Sequence, residues 1–306
     1  MNDPSPSLAT SLEERLRAGA FVMTAEIVPP LSCEAADLLA KAHPLRGLAD
    51  AVNVTDGAGA NVHLSAVTAA ALVKGAGVEP ILQLTCRDRN RIALQSELLA
   101  AAATGVHNLL LLTGDKPEAG DQPDAKAVFD LDSLTRMETA RALRDRGELP
   151  SGKKVDGRAP FFLGAADLPV DPPPGWLPES LARKVAAGAQ FVQTQFCMDA
   201  GVARRYAAAL RDAGLSEIFL LIGISPLRSA RAARWMRHHL YGTIIPDSAI
   251  ARLEAAADPR AEGRRMCIDL IAELSETPGV AGVHIMAPGN DQAVPAVIAE
   301  ARKQIR

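Results

Sequence analysis

Short runs rich in Val, Ile, Leu and Phe alternate along the chain with longer stretches in which Ala, Leu, Arg and Glu recur at helical spacing. The short runs have the length and β-branched content of buried strands, and the longer ones read as amphipathic helices. Eight strands are predicted, at 21–28, 50–55, 78–85, 106–113, 160–166, 190–196, 217–224 and 280–286. Helices are predicted near 33–42, 62–75, 90–104, 131–147, 179–188, 199–213, 228–240, 247–277 and 291–305. Gly19, Gly77, Gly105 and Gly188 each stand shortly before a strand, where a glycine can close the preceding helix. Eight βα units with no long linker predict an α/β fold of the (β/α)8 TIM-barrel type rather than two doubly wound halves. The barrel is expected to be a single domain over 1–306, with residues 1–18 as an N-terminal extension or helix. Two loops, TGDKPEAGDQPDAKAVFDLDS after the fourth strand and DLPVDPPPGWLP after the fifth, are polar and rich in Pro and Gly, as functional βα loops often are.

Composition narrows the function classes. Hydrophobic residues make up 48% of the 306, but aromatics only 4%, so a large core must be filled with few rings. The formal net charge of −3, with both signs interspersed, lacks the basic footprint that nucleic acid or an anionic membrane surface requires. No basic and then apolar leader opens the chain, and no run of about 18 apolar residues occurs, so a soluble cytoplasmic protein is expected. Cys33, Cys86, Cys197 and Cys267 stand apart without CxxC or His-Cys spacing, which predicts reduced thiols and no metal site. Apolar helix faces leave room for a homo-oligomer.

Active sites of such barrels gather at the C-terminal ends of the strands, so the polar residues that close each strand are the candidates. They are Glu26, Thr55-Asp56-Gly57, Gln83 and Thr85, Thr113-Gly114-Asp115, Asp167, Gln193 and Gln195, Gly223 to Pro226, and His284 with Pro288-Gly289-Asn290. Glu26 and Asp115 end otherwise apolar strands, where burial would penalise the charged form and suit a general acid. A strand-end carboxylate paired with a neighbouring Lys or Arg is the alternative for Glu26. Gln83 and Gln195 could read the donor and acceptor edge of a ligand or be satisfied by backbone. His284, alone on its strand, reads as a satisfied core residue.

These strand ends resemble the methylenetetrahydrofolate reductase family, in order and over most of the chain. TAEIVPP resembles that family's Phe-Glu-Phe-Phe-Pro-Pro opening, VNVTDGAGA its Thr-Tyr-Gly segment, and ILQLTCRDRN its His-Leu-Thr-Cys strand. LLLLTGDKP is similar to its Leu-Arg-Gly-Asp turn, LARKVAAGAQFVQTQFCMD to its Lys and Gly-Ala segment ending in Thr-Gln, and GVHIMAPGN to its final His-Phe-Tyr-Thr strand. The resemblance implies reduction of 5,10-methylenetetrahydrofolate to 5-methyltetrahydrofolate through a bound flavin, FAD by the family's habit, with NADH or NADPH as donor. It implies that Glu26 protonates the folate, that Asp115 binds the pterin and tunes the flavin, and that Gln195 orients the folate. Flavin contacts carry over to Thr55, Gln83, Thr113, Gly114, Asp115, Phe129, Asp130, Arg183 and Lys184, with Asp132 and Ser133 in the same insert.

Several aromatic and cationic family positions differ. The family's Thr-Tyr-Gly is Thr55-Asp56-Gly57, its Arg before Gly-Asp is Thr113, its Ala-Tyr-Pro-Glu is Ala165-Ala166-Asp167-Leu168, and its Phe-Tyr-Thr is Ile285-Met286-Ala287. FMN, or reduction with no flavin at all, are accordingly the alternatives for the cofactor. A folate-binding barrel acting in one-carbon transfer without redox chemistry, or a partner subunit that has lost its site, are the alternatives for the function. The resemblance covers the catalytic barrel only, so no C-terminal regulatory domain or allosteric response is expected.

Overall fold

In the computed structural model, which describes residues 11–305, every predicted strand forms, with bounds within two residues of those expected. β1 (Val22–Ile27) pairs in parallel with β2 (Ala51–Val54), and the series continues through β3 (Pro80–Leu84), β4 (Asn108–Leu111), β5 (Phe162–Asp167), β6 (Phe191–Phe196) and β7 (Phe219–Ile224). β8 (Val280–Ile285) pairs with both β7 and β1 and closes the barrel. The outer ring comprises α2 (Ala35–Ala42), α3 (Ala66–Gly75), α4 (Arg91–Ala103), α5 (Ser133–Arg146), α6 (Glu179–Ala187), α7 (Ala200–Asp212), α8 (Ala230–His239), α9 (Asp247–Ala255), α10 (Pro259–Ser275) and α11 (Val294–Gln304). No described helix is long and apolar enough to cross a membrane.

One helix expectation is corrected. The segment 247–277 holds two helices, because Ala256 turns extended (ψ 135°) and Asp258 starts a new helix by accepting from the N–H groups of Arg260 and Ala261. Pro259 occupies the first turn, where its missing N–H costs nothing, whereas inside one continuous helix it would remove a bond. Of the expected extension 1–18, residues 1–10 lie outside the described residues. Ser11 then caps α1 (Leu12–Arg17) through a reciprocal pair with Glu14.

α1 plugs the N-terminal mouth of the barrel. Leu12 and Leu16 pack on an interior floor that includes Val22, Ile81, Leu110, Phe162, Phe191 and Leu221. Phe162 and Phe191 stack with ring centroids 4.9 Å apart, and Phe219 tilts against them. Gly164 faces this ring layer, and a Cβ there would lie 2.2 Å from Phe191, so glycine at that position is what admits the ring. Few aromatics thus suffice, because three of the seven phenylalanines occupy one layer.

Alternation along the strands puts every second residue inside. Above the phenyl floor this brings Thr24, Asn53, Gln193 and His284 into a buried polar layer, with Thr24 and His284 in register across the closing β1–β8 pair. One step further along, the same alternation presents Glu26, Gln83, Gln195 and Met286 to the C-terminal mouth.

At the opposite end, the buried Asp50 joins three elements. Its carboxylate accepts from the Met23 N–H at 2.7 Å and pairs with Arg15 of α1 and Arg302 of α11. Both arginines are partly exposed, so the pairs count for little; the dominant cost of losing the carboxylate is the buried Met23 N–H left without a partner. Asp50→Ala is therefore expected to destabilise the fold by about 2 kcal/mol, read as a lower urea midpoint at unchanged slope.

Candidate active site

A cavity of about 900 Å³ opens at the C-terminal end of the barrel. Its deep wall carries Glu26 of β1, Gln83 of β3, Gln193 and Gln195 of β6, and His284 of β8. A register shift between β6 and β7 falls between Gln193 and Phe196, and such irregularities re-aim side chains near sites. Here Gln193, Thr194 and Gln195 all contribute to the wall, and Gln195 is steadied by the Phe196 N–H donating to its side-chain oxygen at 3.0 Å.

Glu26 is held without a cation. Gln83 Nε2 donates to its Oε2 at 3.0 Å, and His284 Nε2 stands 3.7 Å from the same oxygen. The alternative of a Lys or Arg partner is not realised among the described residues. Behind Glu26 runs a buried polar chain. His284 Nδ1 lies 3.0 Å from Thr24 Oγ1, and Thr24 Oγ1 also meets the Val283 carbonyl at 3.2 Å and Gln193 Nε2 at 3.2 Å. Gln193 and Asn53 close the chain as a reciprocal amide pair, at 2.7 and 3.0 Å. Every member has partners, as buried polar groups require.

The facing wall mixes charge and apolar surface. Lys184 donates to the Ala166 carbonyl at 2.6 Å and approaches Asp167 at 3.4 Å, so much of its charge is already met. Tyr206 donates its hydroxyl to Asp167, and burial, reinforced by that carboxylate, pushes the phenol far above its ordinary ionisation, leaving it a fixed donor. Trp176, Leu177, Tyr241, Leu168 and Met286 supply a largely apolar rim.

Of the residues singled out from sequence, Glu26, Gln83, Thr113, Asp167, Lys184, Gln193, Gln195 and His284 line this cavity, whereas Thr55, Gly114, Asp115, Phe129, Asp130 and Arg183 do not. Asp115 is exposed, so the burial expected to favour its protonated form is absent. Thr55 is buried, and its hydroxyl has no partner. Asp130 is gripped by Arg91 at 2.7 and 2.8 Å, and those hydrogen bonds hold its carboxyl down at about 2. Asp132 caps α5.

The reason lies in the long loop after β4, which folds down onto the loops after β2 and β3. A Cβ on Gly120 would fall 1.9 Å from the Ala60 carbonyl oxygen, so the two backbones touch. Val62 N–H donates to Asp121 at 3.2 Å, and Val128 N–H to the Arg87 carbonyl at 2.8 Å. Beneath this cover, Asp56 accepts from the Thr85 N–H at 2.7 Å and pairs with Arg89, while buried Arg87 donates to the Gly57 carbonyl at 3.2 Å.

The contacts of His284, the Tyr206 hydroxyl on Asp167, and the cavity roles of Trp176, Tyr241 and Met286 were not found from the sequence. For His284 a signal existed: Thr24 and Glu26 alternate on β1 as His284 and Met286 do from β8 onward, so the two pairs share the barrel interior. Tyr241 and Trp176 lie on loops whose course no periodicity reports.

The methylenetetrahydrofolate reductase family model matches residues 11–302. Methylenetetrahydrofolate reductase 2 of Saccharomyces cerevisiae is 26% identical over 251 residues, 78% of this chain and 39% of that protein. The probable methylenetetrahydrofolate reductase (NADPH) of Caenorhabditis elegans is 23% identical over 239 residues, 75% of this chain and 33% of that protein. The chain thus spans well under half the length of either relative. In fold it is similar to a Clostridium thermocellum protein that binds two copies of 5-methyl-5,6,7,8-tetrahydrofolic acid, with a TM-score of 0.64 at 12% identity over 95% of this chain and 98% of the other. With the family match extending over almost all of the described barrel, the chain belongs to the methylenetetrahydrofolate reductase family.

Proposed function

We propose that this barrel reduces 5,10-methylenetetrahydrofolate to 5-methyltetrahydrofolate, with NADH or NADPH as the hydride donor. The observation that carries the proposal is Glu26: a carboxyl facing a folate-sized cavity, held by Gln83 and His284 rather than by a cation, in a member of this family. The Clostridium thermocellum protein of the same fold binds the compound proposed here as product.

The chemistry asks for one proton and one hydride. Glu26 gives its proton to N10 of the folate; the bond from N10 to the bridging carbon breaks, and that carbon becomes an iminium on N5. Hydride arrives at the bridging carbon, leaving a methyl group on N5 and oxidised nicotinamide. Gln195 presents an amide that can meet the donor and acceptor edge of the pterin, and the Asp167 and Lys184 pair offers both signs of charge across the cavity. Asp115, next but one to Thr113, is exposed and does not line the cavity, so no pterin contact is assigned to it.

The flavin implied by the resemblance finds little to hold it. Of nine implied contacts, Gln83, Thr113 and Lys184 line the cavity, Thr55 is sealed under the chain, and Asp130 is committed to Arg91. The loop after β4 occupies the space above β2 and β3 with its own backbone. These residues do not fit a flavin in the family's manner, and we take the hydride to pass directly from nicotinamide to folate. Trp176, Tyr241 and Met286 give the rim on which flat rings can pack.

Mixing the protein with methylenetetrahydrofolate and NADH or NADPH is expected to consume one nicotinamide per 5-methyltetrahydrofolate formed. Failure to oxidise either donor, with methyl transfer to an acceptor instead, would overturn the proposal.

A further inference from the structure

We propose that Glu26 and His284 share one dissociable proton and act as a single acid, in which His284 restores the proton that Glu26 delivers to the folate. This rests on the reductase function proposed above and adds a second residue to its proton chemistry.

Thr24 stands between His284 and the Gln193–Asn53 amide pair. Its hydroxyl has one proton and three polar neighbours: the Val283 carbonyl, which can only accept, the Gln193 amide nitrogen, which can only donate, and His284 Nδ1. We assign the hydroxyl proton to the carbonyl and the amide as donor to the oxygen, so that the imidazole contact at 3.0 Å is an Nδ1–H donating to Thr24; the opposite tautomer has Thr24 donating to Nδ1 and Nε2–H facing Glu26, and the NMR measurement below separates the two. The Gln193–Asn53 amide pair fixes this arrangement from behind. With Nδ1 committed, Nε2 is the free nitrogen, and it faces Glu26 Oε2.

A neutral imidazole would point a lone pair at a carboxylate there, and two lone pairs repel. The approach is favourable only when one proton lies on either group: on the carboxyl, with Nε2 accepting, or on Nε2, with the carboxylate accepting. The 3.7 Å separation is ion-pair distance, and a small approach brings the two atoms to hydrogen-bond length for the transfer. Gln83 holds Oε2 on the histidine side, which leaves Oε1 to meet the folate. After Glu26 has protonated N10, a proton from solvent returns through Nε2 to the carboxylate, so the proton consumed in each turnover is replaced.

The charged groups around the pair are few. Asp291, after β8, has its carboxyl raised by burial first, with Lys41 opposing and Glu26 adding to the rise. Lys41 of α2 donates to the Val28 carbonyl. Gln83, Gln193 and Gln195, from β3 and β6, are uncharged, and Asp167 and Lys184 across the cavity pair with each other.

The test is the pH dependence of kcat/KM for methylenetetrahydrofolate in wild type and His284→Asn. Asparagine can still donate to Thr24 but cannot hold the shared proton. Wild type should keep its activity until the pair loses its last proton; in the variant the carboxyl of Glu26 has no partner to share that proton with and loses it earlier as pH rises. The alkaline limb should therefore move to lower pH in the variant, so that the loss of activity grows as pH rises and is small on the acid side. A loss equal at every pH, with the limb unmoved, would mean that His284 serves only packing and would overturn the proposal. Side-chain nitrogen NMR of the wild-type protein tests the same point without a variant: neutral His284 must carry its proton on Nδ1, and one carried on Nε2 refutes the shared proton. Wild type inactive at every pH would instead sink the reductase function, and the NMR result would still decide the pairing.

Discussion

Glu26→Gln is expected to lower methylenetetrahydrofolate reduction by about a thousandfold, within the range that a positioned general acid supplies, while the unfolding midpoint hardly moves. Glutamine fills the same volume, and its side-chain oxygen can still accept from Gln83 Nε2, so the cavity wall keeps its shape. What disappears is the proton for N10. Nicotinamide binding, followed by its fluorescence, should be unchanged, because the substitution keeps the volume and the Gln83 contact of the wall. A loss below tenfold would remove Glu26 from the chemistry and reduce its contacts with Gln83 and His284 to structural ones. Asp at the same position makes a useful companion: it keeps a carboxyl but withdraws it by one methylene from both Gln83 and His284, so an intermediate loss is expected if position matters as well as acidity.

The barrel was legible because its strands are buried on both faces and bounded by turn residues, so apolar runs such as VHNLLLLT and EIFLLIGI announce themselves without any partner. The missed break at Asp258-Pro259 had a signal of its own, a capping residue followed by a proline, masked by helical composition on both sides. At the site, Glu26, Gln83 and Gln195 could be found because the strand both names and aims them. Asp115 could not be placed the same way: it lies four residues beyond the end of β4, where the chain has left the sheet and exposure is set by the path of the loop. The same holds for Tyr241 and Trp176, brought to the rim by segments far from any strand end. His284 is the instructive case between these extremes. Its strand was found, and its role depended on which residues stand beside it in a closed barrel, a fact of register across β1 and β8 that neither strand contains alone.

The purified protein is expected to be colourless, and to oxidise NADH or NADPH only when methylenetetrahydrofolate is present. Initial rates should follow a sequential pattern, with both ligands bound before either product leaves, since no group on the protein stores the hydride between them. A flavin would give the opposite on each count: visible absorption, bleaching by nicotinamide alone, and ping-pong kinetics. Lifting the loop after β4 to admit one would break the hydrogen bonds from Val62 to Asp121 and from Val128 to Arg87, a cost of about 2 kcal/mol at roughly 1 kcal/mol each. That alone weakens a ligand only about thirtyfold. The larger obstacle is what the opened space would offer: Asp56 and Asp130 already tied to arginines, Thr113 where the family has a guanidinium, and no ring from the β2 loop to cover an isoalloxazine. The cavity that is open, about 900 Å³, stands near the top of the roughly 300–1,000 Å³ range of ligand clefts. On the function proposed above, direct hydride transfer requires this one cavity to take the pterin and the nicotinamide together, with Trp176 and Tyr241 at its rim.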